Sequence, residues 1–142
     1  MDSYKLFKDD VKNIADKFRE LDKNETIRLI SHLDADGISA ASIMIKCLSN
    51  DNRKYSISIV QQLNKEVLQE IAKEPHKYVV FTDIGSGIIS SIKEVLKDKR
   101  VFILDHHEPE TAEIKEENIF MVNPHKFGID GGIEISGAGV VY

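Results

Sequence analysis

Phe7, Val11, Ile14, Phe18 and Leu21 recur at intervals of three and four, which predicts an amphipathic helix over 4–21. Residues 1–25 therefore read as a leading helix and its exit, ahead of the first strand pattern. "TIRLISHL" (26–33) predicts a strand, and "GISAASIMIKCLSN" (37–50) a helix rich in small and apolar residues. "YSISIVQQ" (55–62) alternates with the period of a strand, and "NKEVLQEIAKE" (64–74) returns to helical spacing. A β-branched and aromatic strand, "KYVVFTD" (77–83), precedes a helix over 87–99. "RVFILD" (100–105) and "NIFMVN" (118–123) complete the strands. Strands alternating with helices predict βαβ units, and near-continuous apolar strands suit a sheet covered on both faces. The expected fold is α/β, doubly wound, with a mainly parallel five-stranded sheet, the strand at 26–33 central and helices on both faces. "SGAGVVY" reads as the start of one more helix.

The 142 residues suffice for one domain, and 42 % hydrophobic with 30 % charged residues is an ordinary globular balance. No apolar run approaches the roughly 18 residues that cross a bilayer, so no membrane contact is expected. The N-terminus is charged throughout and is not a signal peptide. Cys47 is the only cysteine, which excludes an internal disulfide; it reads as a buried core thiol in an intracellular, cytoplasmic protein. The net charge of −5, from 19 basic and 24 acidic residues, argues against nucleic-acid binding through bulk positive charge. Divalent cations would reverse that field locally.

The chemistry gathers at strand ends. In a parallel sheet, ligands collect beyond the C-terminal ends of the strands. "LISHLDAD", "VVFTD" and "VFILDHH" place His32, Asp34, Asp36, Asp83, Asp105, His106 and His107 along that edge. So many carboxylates repel one another unless cations neutralise them. Oxygen-rich sites with a few imidazoles suit Mn²⁺ or Mg²⁺ rather than structural zinc. Taken singly, an acid after a strand is often a helix cap or turn residue, and Asp83, "DADG" and "DHH" each admit that reading. Three such endings together point to a metal centre. A lone histidine such as His76 or His125 is more often solvated than a ligand, and His76 is read so; Asp130 in "IDGG" reads as a turn former outside the metal set.

"SHLDADGISAA", "FTDIGSG", "LDHHEP" and "NPHKFGIDGGIEISGAGVVY" resemble, in order and spacing, the first part of the DHH phosphoesterase superfamily. The resemblance runs from about residue 26 to the chain end. It is nearest to the RecJ-like single-strand nucleases, including the archaeal type associated with the replication machinery. It implies a metal-dependent exonuclease acting on single-stranded DNA or RNA, with two Mn²⁺ or Mg²⁺ ions per site. His32, Asp34 and Asp83 would hold one ion, Asp36, Asp83 and His106 the other, with Asp83 as the bridge. Asp105 would orient a histidine, and His107 would face the substrate phosphate. Asn123, Ser136 and Gly137 would lie near the nucleic acid; "SGAG" at a helix start offers N–H groups to an anion, with tight packing of small residues as the competing reading. Implied partners are single-stranded nucleic acid and replication proteins. The family also supplies a further metal-binding Asp and a substrate-binding C-terminal domain beyond "SGAG". Residues 1–142 are therefore expected to be a DHH domain cut short at its C-terminal end, not fully active alone.

Other branches of the superfamily cleave cyclic dinucleotides, short oligonucleotides or pyrophosphate. The single residue between His32 and Asp34 favours the RecJ-like branch, because the others commonly have a longer gap. A replisome scaffold of the same fold with impaired catalysis is the alternative from another class; the intact His32, Asp34, Asp36, Asp83 and His106 argue against it.

Overall fold

The structure, a computed structural model, describes residues 2–142. Five strands, β1 (Ile27–His32), β2 (Tyr55–Val60), β3 (Tyr78–Thr82), β4 (Arg100–Leu104) and β5 (Ile119–Val122), form one wholly parallel sheet in the order β2-β1-β3-β4-β5. Five helices accompany it: α1 (Ser3–Arg19), α2 (Ala35–Asn50), α3 (Lys65–Lys73), α4 (Ile89–Val95) and α5 (Gly137–Val141).

Successive strand residues point to opposite faces, so each strand feeds two cores. Ile27, Leu29, Val80, Phe102 and Val122 meet Phe7, Ile14, Met44, Leu48 and Val140, from α1, α2 and α5. Ile30, Val79, Phe81, Val101 and Ile103 meet Leu68, Ile71, Ile89 and Ile92, from α3 and α4. Each large apolar side chain buried this way contributes roughly 1.5–3 kcal/mol. The predicted doubly wound sheet is thus the observed one.

Three details differ from the sequence reading. β1 is interior, but the middle strand is β3: the chain lays β2 outside β1 and then returns across it. The segment expected as a helix over 87–99 opens as a 3-10 turn, Ser86–Ile88, and α4 ends at Val95. Cys47 is exposed rather than buried. On α2, Met44 and Leu48 occupy the inward stripe four residues apart, and Cys47 stands at its exposed edge. Among the described residues no helix is long and apolar enough to cross a membrane.

Candidate metal centre

β1, β3 and β4 are adjacent, and Ser31 pairs with Thr82, which pairs with Leu104. The three strands therefore end level, and His32, Asp83 and Asp105 emerge side by side. This is also where the strand order reverses, between β1 and β3, the position at which open α/β sheets form their crevice. Asp34 then caps α2, its Oδ1 accepting a hydrogen bond from Gly37 N at 2.8 Å, and Asp36 follows in the first turn. That bond is the main cause holding the Asp34 carboxyl below its usual range. The cap reading and the cluster reading of "DADG" are both true of one short turn.

Asp83 does not cap its helix. Its φ of 58° puts it in the left-handed region, which Asp tolerates better than most residues, and turns its carboxylate into the cluster. It is 1 % exposed. Burial, then the charges of Asp36 and Asp34, push its carboxyl up to about 7. His106 Nε2 lies 3.0 Å from Asp83 Oδ1 and 3.2 Å from Asp36 Oδ2, so both carboxylates converge on one nitrogen. These approaches lack hydrogen-bond direction: neither Asp83 oxygen receives a hydrogen bond. His32 Nδ1, 2.9 Å from Asp34 Oδ2, is likewise buried without one.

The opposite ring nitrogens explain this. His106 Nδ1 donates to the carbonyls of Gly131 (2.6 Å) and Ile135 (3.2 Å), and His32 Nε2 to the carbonyl of Gln61 (3.0 Å), since a carbonyl can only accept. With one ring nitrogen of each held by a carbonyl, the other is turned toward the carboxylates, the orientation of metal-ligating histidines. Ligand atoms of His32, Asp34 and Asp83 lie within 4.8 Å of one another, as do those of Asp83, Asp105, His106 and His107. Buried carboxylate oxygens and a ring nitrogen without hydrogen-bond partners, gathered with further acids and imidazoles, fit a divalent cation. The residues present suit that group.

Asp105 orients His107, not His106. Its Oδ1 accepts from His107 Nδ1 at 2.7 Å and from His106 N at 2.8 Å, and its Oδ2 from Ser86 N at 3.1 Å. The Asp105 carboxylate holds the His107 imidazolium up to about 9, and the ring stands outward, its side chain 55 % exposed. Asn123, expected near substrate, has no free group. Fully buried, it donates to Ser86 Oγ and the His107 carbonyl and accepts from His125 N, so it braces the "DHH" loop. Ser136 caps α5 by accepting from Gly139 N. Gly137 is buried, and its N–H donates to Asp36 Oδ2 rather than to an open anion seat. A Cβ there would lie 2.2 Å from Asp83 Oδ1, so the tight-packing reading of "SGAG" holds at Gly137. His125, a lone histidine in the sequence, bonds the His106 carbonyl through Nε2. Asp130 forms the expected turn, accepting from Gly132 N. The carbonyls of Gly131, Ile135 and Gln61 were missed by the sequence reading, because backbone acceptors carry no residue signature.

The chain matches the model of the DHH family, N-terminal domain, over residues 26–142. An uncharacterised protein of Methanocaldococcus jannaschii is 40 % identical over 121 residues, covering 82 % of this chain and 27 % of the relative. The fold is similar to RecJ from Thermus thermophilus in complex with Mn²⁺, with a TM-score of 0.67 at 20 % identity, covering 96 % of this chain and 19 % of that one. It is similar to exonuclease RecJ bound to manganese, with a TM-score of 0.68 at 20 % identity, covering 95 % and 35 %. CDC45 from Entamoeba histolytica gives 0.55 at 23 % identity, covering 84 % and 23 %. The chain thus spans about a quarter of the curated relative and no more than about a third of these structures. By its family match the chain belongs to the DHH family, and residues 26–142 are that family's N-terminal domain.

Proposed function

We propose that this domain hydrolyses phosphodiester bonds in single-stranded nucleic acid with two divalent ions, Mn²⁺ or Mg²⁺. His32, Asp34 and Asp83 would hold one ion, and Asp36, Asp83 and His106 the other. When bound, such ions neutralise charge on the phosphoryl oxygens and lower the pKa of the attacking water. The observation that carries the reading is Asp83: a buried carboxylate with no hydrogen bond to either oxygen, flanked by Asp34, Asp36 and His106. An uncompensated charge in that position costs several kcal/mol, which a shared cation would offset.

The chain's own groups divide the remaining work. Asp105 holds His107 as an imidazolium facing outward, where it can donate to a phosphoryl oxygen as charge develops. Asn123 and Ser86 fix the loop that carries it. Water's oxygen bonds to phosphorus, the P–O bond to the leaving nucleoside breaks, and a proton passes to the leaving oxygen. The manganese-bound RecJ structures support the choice of ion, and the exonuclease description of one of them supports a nucleic-acid substrate. Cleavage assays with Mn²⁺ against end-labelled single-stranded DNA, single-stranded RNA, a cyclic dinucleotide and pyrophosphate test this. Shortening of the single-stranded substrates is expected; hydrolysis of only the other two, or none of single strands, would overturn the reading.

A further inference from the structure

We infer that β2 is a self-association strand, pairing antiparallel with β2 of a second copy of this chain about a two-fold axis at Ile57. β2 is one edge of the sheet, with β1 as its only neighbour. Ile27 N donates to the Lys54 carbonyl while Ile27 stands opposite Tyr55. In a parallel ladder of that phase, Lys54, Ser56, Ser58 and Val60 turn their backbone groups to β1. The N–H and C=O groups of Tyr55, Ile57 and Ile59 therefore point outward, where the sheet has no strand to meet them. Their side chains lie on the face of Ile27 and Leu29 and extend that core sideways as an apolar stripe. They remain 38 %, 39 % and 45 % exposed.

Sheet edges are normally blunted by charge, proline, a bulge or a cover. The opposite edge is protected in this way: β5 has only four residues, α1 packs against it, and Lys126 Nζ donates to the Met121 carbonyl at 2.9 Å. β2 runs for six residues, "YSISIV", in unbroken register and without a charge or a proline. A second copy fits this edge. With Ile57 on the axis, Tyr55 of one copy lies opposite Ile59 of the other, and Ser56 opposite Ser58. All three outward residues then fall in hydrogen-bonded pairs, with aromatic against β-branched side chains on the apolar face. Lys54 and Arg53, just before the strand, fall opposite Val60 and Gln61, so no like charges face each other. A contact built on six residues is short of the roughly 20–30 a side of a standard interface, so the dimer is a reversible one.

Sedimentation velocity from micromolar to millimolar chain tests this without metal or substrate, and so apart from the phosphodiesterase reading. The wild type should pass from monomer to dimer. Ile57→Lys sets two ammonium groups against each other at the axis and should move that midpoint about tenfold or more upward in concentration. Cysteine pairs then check the register, in a Cys47→Ser background because Cys47 is exposed. Residues paired across antiparallel strands have Cα atoms about 5.5 Å apart, within disulfide reach. Ile57→Cys should therefore cross-link to itself on mild oxidation. Tyr55→Cys and Ile59→Cys should each fail alone, since the two copies of either residue lie about 13 Å apart, four strand residues, but should cross-link when mixed. A chain that stays monomeric throughout would overturn the inference. So would a dimer that Ile57→Lys leaves intact, or Tyr55→Cys cross-linking alone as readily as Ile57→Cys.

Discussion

Asp36 closes the first turn of α5 across 101 residues of chain, its two oxygens accepting from Gly137 N at 2.7 Å and Ala138 N at 2.8 Å. The carboxylate thus serves as an anion at a helix N-terminus while also repelling Asp83. The two roles have opposite signs, and the directed bonds should win. Asp36→Ala is expected to lower stability in chelator by about 1 kcal/mol, the usual cost of a lost cap. Urea unfolding would show it; a more stable variant would mean that repulsion dominates.

Asp83 should behave in the opposite way. Its carboxyl is raised to about 7 from an ordinary 3.8, so between those values the folded state keeps a proton that the unfolded state releases. Its contribution to the stability of the metal-free protein therefore falls as pH rises from about 4 to about 7. The neighbouring pair has its own windows. Asp105, held low, contributes stability lost as pH falls below the ordinary carboxylate range, and His107 contributes stability lost as pH rises through about 9. Asp83→Asn should flatten the middle window. Asn is the right replacement because it tolerates the φ of 58°, whereas Ala would add backbone strain of its own. Melting temperatures in chelator across pH, equal for wild type and variant between 4 and 7, would contradict the assignment.

Much of this was legible in the chain. Apolar strand runs followed by acid, in "LISHLDAD", "VVFTD" and "VFILDHH", are local patterns, and a parallel sheet turns them into one edge. Asp34, Asp36, Asp83 and His106 do converge there. What escaped depends on contacts between distant segments. Asn123 looked available because its partners, Ser86 and the His107 carbonyl, lie 37 and 16 residues away. Likewise Gly137 looked like an anion seat because nothing local marks its N–H as taken by Asp36. Cys47 failed for a smaller reason: in a helix as apolar as α2, the inward stripe is poorly defined by composition.

Gly137 yields a prediction whose sign is diagnostic. Alanine normally stabilises a helix relative to glycine by up to about 1 kcal/mol. At Gly137 its Cβ would press 2.2 Å from Asp83 Oδ1 and 2.7 Å from Asp83 Cγ, with that carboxylate buried and unable to retreat. Gly137→Ala should therefore destabilise, by about 1–3 kcal/mol as for other overpacked sites. A neutral or stabilised variant in chemical denaturation would mean that α5 sits farther from β3 than described.

His106 and His107 should fail differently when replaced. His106 faces Asp36 and Asp83 with Nε2, so His106→Ala should weaken Mn²⁺ binding. His107 points outward from Asp105, so His107→Ala should leave Mn²⁺ affinity nearly unchanged and slow turnover by about 10²–10³, as for other single charge-stabilising donors. Equal losses of Mn²⁺ affinity in the two variants would show that they act as one ligand set.

The central claim is that Asp83 is shared by two ions, and Mn²⁺ stoichiometry tests it most directly. Calorimetric titration at neutral pH should find two Mn²⁺ per wild-type chain, and one in Asp34→Asn, which removes a ligand from only the ion beside His32. Asp83→Asn should lose tight binding of both ions while remaining folded. Two ions still bound tightly by Asp83→Asn, or a single ion in the wild type, would contradict the bridge.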